Sequence, residues 1–218
     1  GAGLNTITAG DGANTITVGD DKDIITSGTG LDIITAGDGD NTIDAGDGDN
    51  TITATLGNDD VTVGDGNNDI NLSSGDNVVL TGDGNNSIIT TTGADTITSG
   101  TGDDVINAGA GLNIINAGDG ANTITTGDDK DQITSGSGLD IITAGDGDNT
   151  IVAGDGLNQI KRGEFLSESD LHPSARLDAI RFRDALSLFS DPKAKAAVLM
   201  FLRGDIHTST GKPLGQSV

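Results

Sequence analysis

The sequence predicts an all-β parallel solenoid over residues 1–160, followed by a short helical segment and flexible tail over residues 161–218. Three observations support this division. A nine-residue phrase recurs from Gly1 to Ile160 without insertion or deletion, and this phrase has the chemistry of a turn followed by a short strand. All four phenylalanines and all three prolines lie after residue 160.

Each nonapeptide combines turn-forming and strand-forming residues. Position 1 is Gly in 15 of the 18 copies, position 5 is always Asn or Asp, and position 7 is Ile except at Val61 and Val79. Glycine permits positive φ, and Asn or Asp bonds the nearby backbone, so the first five positions predict a turn. The residues around position 7 then predict a three-residue strand with one inward apolar side chain.

Position 5 indicates how many copies form one coil of the solenoid. A stack of aspartates at strand spacing would place like charges about 5 Å apart. The odd-numbered copies instead alternate without a fault, and the even-numbered copies alternate except at Asn68. We therefore expect position-5 residues to be vertical neighbours 18 residues apart, which means two nonapeptides per coil. The odd series reads Asn5, Asp23, Asn41, Asp59, Asn77, Asp95, Asn113, Asp131 and Asn149.

The charge of the repeats excludes several partners. Residues 1–160 hold 27 of the 34 acidic residues and only two basic ones, Lys22 and Lys130, which gives a formal charge of −25. Such a surface repels nucleic acid and anionic membranes and attracts cations. The absence of cysteine excludes disulfides and thiolate metal sites, and no apolar run is long enough to form a transmembrane segment.

The repeats resemble those of the RTX (repeats-in-toxin) family, whose G-G-x-G-x-D-x-U-x nonapeptides form a parallel β-roll and bind Ca²⁺ in the turns. Two departures are evident. The first Gly of the family's pair is a small or β-branched residue here, as at Ser27, Ala36 and Thr126, and the metal-binding Asp is Asn in 11 of the 18 copies. The resemblance implies a structural, non-enzymatic module of a larger bacterial toxin or adhesin, secreted by the type I route.

Two interactions are candidates for holding the coils together, because one isoleucine per nonapeptide buries too little apolar surface to offset the ordering of nine residues. One is Ca²⁺ at the turns, which the acids at positions 2 and 4 also favour. The other is a metal-free ladder of Asn and Asp side chains. The predicted metal ligands are Asp23, Asp32, Asp59, Asp95, Asp104, Asp131 and Asp140, with Asn5, Asn41, Asn113 and Asn149.

An alternative function is binding of an ordered surface such as ice. Five copies read Thr-Ile-Thr, which would place two threonines outward on a flat sheet: residues 6–8, 15–17, 51–53, 96–98 and 123–125. Other residues interrupt the outward rows, among them Asp60, Asp69, Val78, Leu80, Asn107 and Gln132. Threonine is also simply a favourable strand residue.

The segment after residue 160 predicts a helical hairpin. Apolar residues from Ala175 to Phe189 recur at steps of three and four, and Pro192 opens a second helix that ends at Gly204. Such a hairpin would cover the open end of the solenoid or begin a further domain. At the other end, Gly1 opens inside a repeat, so we expect additional repeats or domains in the parent protein. The sequence holds no catalytic motif, and we predict no enzyme.

Overall fold

The structure, a computed structural model, describes residues 1–162, which form a parallel β-solenoid of 18 short strands. Each nonapeptide supplies one strand, as its turn-and-strand chemistry predicts. The all-β prediction is therefore confirmed over these residues. The predicted helical hairpin lies outside the described residues.

The strands are three to five residues long and centre on position 7 of each copy. In chain order they are β1 (Thr6–Thr8), β2 (Thr15–Thr17), β3 (Ile24–Thr26), β4 (Ile33–Thr35), β5 (Thr42–Asp44), β6 (Thr51–Ala54), β7 (Asp60–Thr62), β8 (Asp69–Leu72), β9 (Val78–Leu80), β10 (Ser87–Ile89), β11 (Thr96–Thr98), β12 (Val105–Gly109), β13 (Ile114–Asn116), β14 (Thr123–Thr126), β15 (Gln132–Ser135), β16 (Ile141–Ala144), β17 (Thr150–Ala153) and β18 (Gln159–Arg162).

Odd-numbered and even-numbered strands form two separate nine-stranded sheets. Every strand pairs in parallel with the strand two further along the chain, and the partners are 18 residues apart, as in Ile7 opposite Ile25. The prediction of two nonapeptides per coil is confirmed. The fixed offset brings equivalent positions of alternate copies together, so each sequence position forms a vertical row.

The core contains one hydrophobic cluster to which both sheets contribute. The cluster is built from the isoleucines and valines of position 7, and position 9 adds mostly alanine, with Val18, Val63 and Leu72. Ser27, Ala36 and Thr126 are at most 5% exposed, so the small residues that replace the family's first glycine do face inward. From Asp23 to Asn158 position 5 is also buried, which places a polar row next to the core.

The turns require glycine at position 3 because neighbouring coils approach closely there. Gly48 has φ +132°, and a Cβ at this residue would collide with the Gly30 carbonyl of the adjacent coil. Among residues 1–162, Asp21 is the only non-glycine residue with positive φ, at 83°. It occupies position 3 of its copy and keeps the glycine-like conformation, whereas Asp129, the other aspartate at position 3, does not.

Candidate metal centres in the turns

The position-5 residues of the odd and of the even copies form one row along each edge of the solenoid, and we call these two rows together the buried row. From Asp23 to Asp140 its members are at most 1% exposed. Each backbone N–H donates to the side-chain Oδ1 one coil further on: Asp23 N to Asn41 Oδ1 at 2.9 Å, and Asn41 N to Asp59 Oδ1 at 3.0 Å. The predicted vertical stacking of these side chains is confirmed.

The asparagines of the buried row close their own turns with the side-chain amide. Asn86 Nδ2 lies 3.4 Å from Gly82 O, 3.0 Å from Gly84 O and 3.0 Å from Asp104 Oδ1. Other asparagines, such as Asn113, repeat the contacts with the carbonyls of positions 1 and 3. The positively polarised N–H groups thus occupy the point where several oxygen atoms converge.

The aspartates of the buried row leave that point without a donor, because an ionised carboxylate only accepts hydrogen bonds. Asp95 Oδ1 accepts from both N and Nδ2 of Asn77, at 2.9 and 3.0 Å. Within residues 1–162, the second carboxylate oxygen has no hydrogen-bond partner in six of these aspartates, namely Asp23, Asp32, Asp59, Asp95, Asp104 and Asp131. In the seventh, Asp140, Oδ2 accepts a bond from Ser135 Oγ at 2.7 Å.

These turns fit the chemistry of calcium. Ca²⁺ takes oxygen ligands from carboxylates and backbone carbonyls. Each Asp turn has a buried carboxylate and lacks the side-chain amide that binds the position-1 and position-3 carbonyls in the Asn turns. No three acidic or histidine side chains of the described chain converge on one point, so each centre would combine a single carboxylate of the buried row with main-chain oxygens. The unpartnered Oδ2 atoms are the observation that supports this fit.

Burial makes the charge of these carboxylates unfavourable. Loss of hydration raises the pKa of Asp59 to about 6, and the nearby charge of Asp40 acts in the same direction. Burial likewise raises the pKa of Asp95 and of Asp104, against the lowering effect of their hydrogen bonds. A bound cation would stabilise the ionised form and shift these pKa values downward.

The acids at positions 2 and 4 form exposed rows, which differ from the buried row. Their Oδ1 atoms accept the backbone N–H one coil further on, as in Thr29 N to Asp11 and Thr101 N to Asp83, both at 2.9 Å. These bonds lower the pKa of Asp11 and of Asp83, with smaller help from the threonine hydroxyls. The exposed acids therefore hold the turns together while remaining ionised in water.

A family model described as the RTX calcium-binding nonapeptide repeat (4 copies) matches the chain eight times, in overlapping segments between residues 1 and 160. The chain belongs to this family. RTX repeats bind calcium and are structural rather than catalytic modules. The search of curated proteins and the search of solved structures each gave no match.

The predicted ligands occupy equivalent places on the two edges of the solenoid. All seven aspartates face inward with 0–1% exposure. Asn5, Asn41 and Asn113 donate through the backbone N–H to Asp23, Asp59 and Asp131 in the next coil. A ligand role for these three, and for Asn149, stays a prediction.

Sequence reasoning missed the hydroxyls at position 9, of which Ser135 contacts Asp140 directly. A signal for them exists in the sequence. Ser or Thr lies five residues before five of the seven aspartates of the buried row, but before only one of the ten asparagines that have such a residue. Reading positions 5 and 9 together would have revealed the association.

The threonine rows divide between the two sheets. Strands β1 and β11 belong to the odd sheet and β2, β6 and β14 to the even sheet, so no two Thr-Ile-Thr strands are adjacent. The outward faces do combine threonine with exposed aliphatic residues such as Ile33 and Val105. Ice binding stays a prediction. Among the described residues, no helix is long and apolar enough to cross a membrane.

Proposed function

We propose that this chain is a calcium-stabilised β-roll segment of a larger secreted bacterial protein, a toxin or an adhesin, and that Ca²⁺ binds at the Asp turns. The observation that carries the proposal is that six of the seven buried aspartates hold a carboxylate oxygen without a hydrogen-bond partner. A buried, unpaired anion is strongly unfavourable, and a cation is the partner that an acidic rod attracts from solution.

Asp and Asn turns then have different roles. The ligands would be the position-5 carboxylate and the carbonyl oxygens of positions 1 and 3 in the turns of Asp23, Asp32, Asp59, Asp95, Asp104, Asp131 and Asp140. Asn5, Asn41 and Asn113 would support these centres by bonding Oδ1 of the next aspartate and leaving its Oδ2 for the ion. The asparagine turns need no ion, because their own amides bind the carbonyls.

The proposed calcium dependence of folding would suit a protein that is exported from the cell. In a cell with little free calcium, unneutralised buried carboxylates would weaken the coils and favour the unfolded chain that type I export requires. Outside the cell, millimolar calcium would bind the folded state only and stabilise it by mass action. Export from a bacterium is typical of the RTX family and is the localisation we propose.

The test is far-UV circular dichroism with thermal melting of the full chain, first in EDTA and then in millimolar CaCl₂, with MgCl₂ at equal concentration as a control for charge screening. We expect Ca²⁺ to raise the melting midpoint by at least 10 °C and Mg²⁺ to raise it much less, because Mg²⁺ dehydrates reluctantly. Identical melting curves in EDTA and in calcium would contradict the proposal.

A variant with all seven buried aspartates changed to Asn separates site binding from nonspecific attraction. It removes the proposed ligands and keeps every acid of the exposed rows. Calcium should no longer shift its melting midpoint, and isothermal titration calorimetry should detect no saturable binding. An unchanged calcium response would assign the ions to the exposed rows instead.

A further inference from the structure

Hydroxyl groups at position 9 accompany the buried aspartates. Five aspartates are preceded, five residues earlier, by Ser or Thr, and the pairs are Ser27–Asp32, Thr90–Asp95, Ser99–Asp104, Thr126–Asp131 and Ser135–Asp140. The asparagines of the buried row are preceded by Ala, Val or Leu, with Thr81 before Asn86 as the exception. A hydroxyl at position 9 is therefore associated with Asp, and not with Asn, at the following position 5, so it is not a general feature of the turns.

The structure shows why the spacing matters. Position 9 ends or directly follows one strand and position 5 lies in the next turn, and in all five pairs both side chains are buried. Ser135 Oγ donates to Asp140 Oδ2 at 2.7 Å. In the equivalent places, Ser99 Oγ and Asp104 Oδ2 are both buried and each lacks a hydrogen-bond partner, and the same is true of Thr126 Oγ1 and Asp131 Oδ2.

Two of the five hydroxyls donate to main-chain carbonyls of the next coil, because Ser27 Oγ lies 3.3 Å from Ala45 O and Thr90 Oγ1 lies 3.1 Å from Ala108 O. A hydroxyl has a single hydrogen, so each of these two would have to turn away from its carbonyl to donate to the aspartate.

We propose that the position-9 hydroxyls are internal partners that partly replace a cation at five of the buried aspartates, so that calcium dependence concentrates at Asp23 and Asp59. These two are preceded by Val18 and Ala54, which have no hydrogen to donate. Both have a buried, unpartnered Oδ2, as do Asp32, Asp95, Asp104 and Asp131, but only Asp23 and Asp59 have no hydroxyl at the preceding position 9. The concentration of calcium dependence at Asp23 and Asp59 rests on the proposed function, whereas the pairing of hydroxyls with aspartates does not.

The pairing is tested in EDTA, where calcium plays no part, by removing a hydroxyl beside an aspartate and beside an asparagine. The matched variants are Thr126→Ala, next to Asp131, and Thr81→Ala, next to Asn86. Both lose the same atoms from a buried site, since Thr126 and Thr81 are 5% and 4% exposed. We expect Thr126→Ala to lower the melting midpoint by several degrees more than Thr81→Ala. Equal losses would overturn the pairing.

The concentration of calcium dependence is tested by adding a hydroxyl. Ala54→Ser supplies a donor beside Asp59, and Ala117→Ser supplies one beside Asn122 as the control. We expect Ala54→Ser to raise the midpoint in EDTA and to reduce the increase that CaCl₂ produces, while Ala117→Ser leaves that increase unchanged. If both serine variants change the calcium-induced rise of the melting midpoint equally, calcium dependence is not concentrated at Asp59, and this part of the proposal is wrong.

Failure of the proposed function would look different. If wild-type melting were insensitive to calcium, the calcium proposal would fall, yet the EDTA comparison of the two threonine variants would still decide the pairing. Calorimetric titration with CaCl₂ adds a second measurement. The double variant Asp23→Asn with Asp59→Asn should lose the tightest calcium-binding step of the titration. The double variant Asp104→Asn with Asp140→Asn should keep that step. The reverse result would contradict the proposal.

Discussion

Asp and Asn side chains in the buried row and in the exposed rows accept the same bond, from a backbone N–H to a side-chain Oδ1 across 18 residues. The bonds of the two kinds of row point in opposite directions along the solenoid. In the buried row the N–H donates toward the later coil, as from Asp23 to Asn41, and in the exposed rows toward the earlier coil, as from Thr29 to Asp11. Each turn is therefore bonded to the coil on either side of it.

Their electrostatics differ because only one kind of row is hydrated. The pKa of Asp11 is lowered by the N–H it accepts, while the pKa of Asp59 is raised to about 6 although it accepts similar bonds. Hydrogen bonds alone do not compensate a carboxylate that has lost its water. The comparison indicates that alternation with Asn, a hydroxyl or a cation is needed in the buried row and is dispensable in the exposed rows.

The largest expected effect comes from breaking the alternation. Asn77 lies between Asp59 and Asp95 in the buried row, and Asn58 lies between Asp40 and Asp76 in an exposed row. Asn77→Asp removes an amide donor and adds a buried charge between two others, so we expect a loss of about 3–5 kcal/mol in EDTA. Asn58→Asp makes the same chemical change in water and should lose under about 1 kcal/mol.

Urea unfolding in EDTA followed by circular dichroism measures both variants. Calcium should restore much of the stability lost by Asn77→Asp, because the new carboxylate adds a ligand. Comparable losses in the two variants would show that burial does not distinguish the rows.

Removing a buried charge should have the opposite sign. Asp59→Asn produces three successive asparagines, an arrangement that Asn50, Asn68 and Asn86 already form on the other edge. We expect a gain on the order of 1–3 kcal/mol in EDTA, because the new amide can bind the turn carbonyls. Asp49→Asn in an exposed row should change stability by less than about 0.5 kcal/mol. A loss of stability in Asp59→Asn, measured by the same urea unfolding, would contradict this assignment.

The pH dependence sharpens the comparison further. Because the pKa of Asp59 rises from 3.8 to about 6 on folding, the folded state holds a proton that the unfolded state releases, and stability in EDTA should fall as pH rises from about 4 to 6. The effect is on the order of 2 kcal/mol from Asp59, with the same sign from Asp95 and Asp104. Asp11, with its lowered pKa, acts oppositely but only below about pH 4.

Urea midpoints at pH 4.5 and pH 7 test this dependence. The wild-type chain should be more stable at pH 4.5, and Asp59→Asn should show a smaller difference between the two values. Greater stability of the wild type at pH 7 in EDTA would mean that the buried carboxylates are already compensated.

Salt should have the smallest effect. Raising NaCl from about 50 to 500 mM screens the exposed acids, which stand close to water, and should add under about 1 kcal/mol to the stability. The loss caused by Asn77→Asp should persist in high salt because buried charges are screened little. Disappearance of that loss in 500 mM NaCl would place residue 77 in contact with solvent.

The repetition of the sequence made most of the fold predictable. The strict nine-residue period predicted one strand per copy, and the Asn and Asp alternation at position 5 predicted the 18-residue offset that Ile7 and Ile25 display. Both signals survive in sequence because each position has one environment, repeated in every coil.

The polar contacts were less predictable, because they depend on the direction in which side chains point. The sequence does not predict that Asn86 Nδ2 binds the Gly82 and Gly84 carbonyls of its own turn. It also does not predict that the N–H to Oδ1 bonds of the buried row and of the exposed rows point in opposite directions along the solenoid. The sequence leaves calcium and a metal-free ladder as alternatives and names the turns where calcium would bind. The structure adds that the Asn turns bind their own carbonyls while six of the Asp turns keep an unpartnered Oδ2. The association of position 9 with position 5 is present in the sequence, but the contact that gives it a physical meaning, between Ser135 and Asp140, depends on the fold.

The uniform register also sets how the length of this rod can change. Removing two consecutive nonapeptides would shorten it by one strand spacing, about 4.8 Å, and would leave each remaining strand in its own sheet. Removing a single nonapeptide would exchange the two sheets for everything that follows, placing Asn and Asp against new neighbours. A gene built from such units can therefore change the length of the solenoid in steps of one coil, or 18 residues. Residues 1–45 and 109–153 are nearly identical and lie six coils apart, as duplication of whole coils would produce.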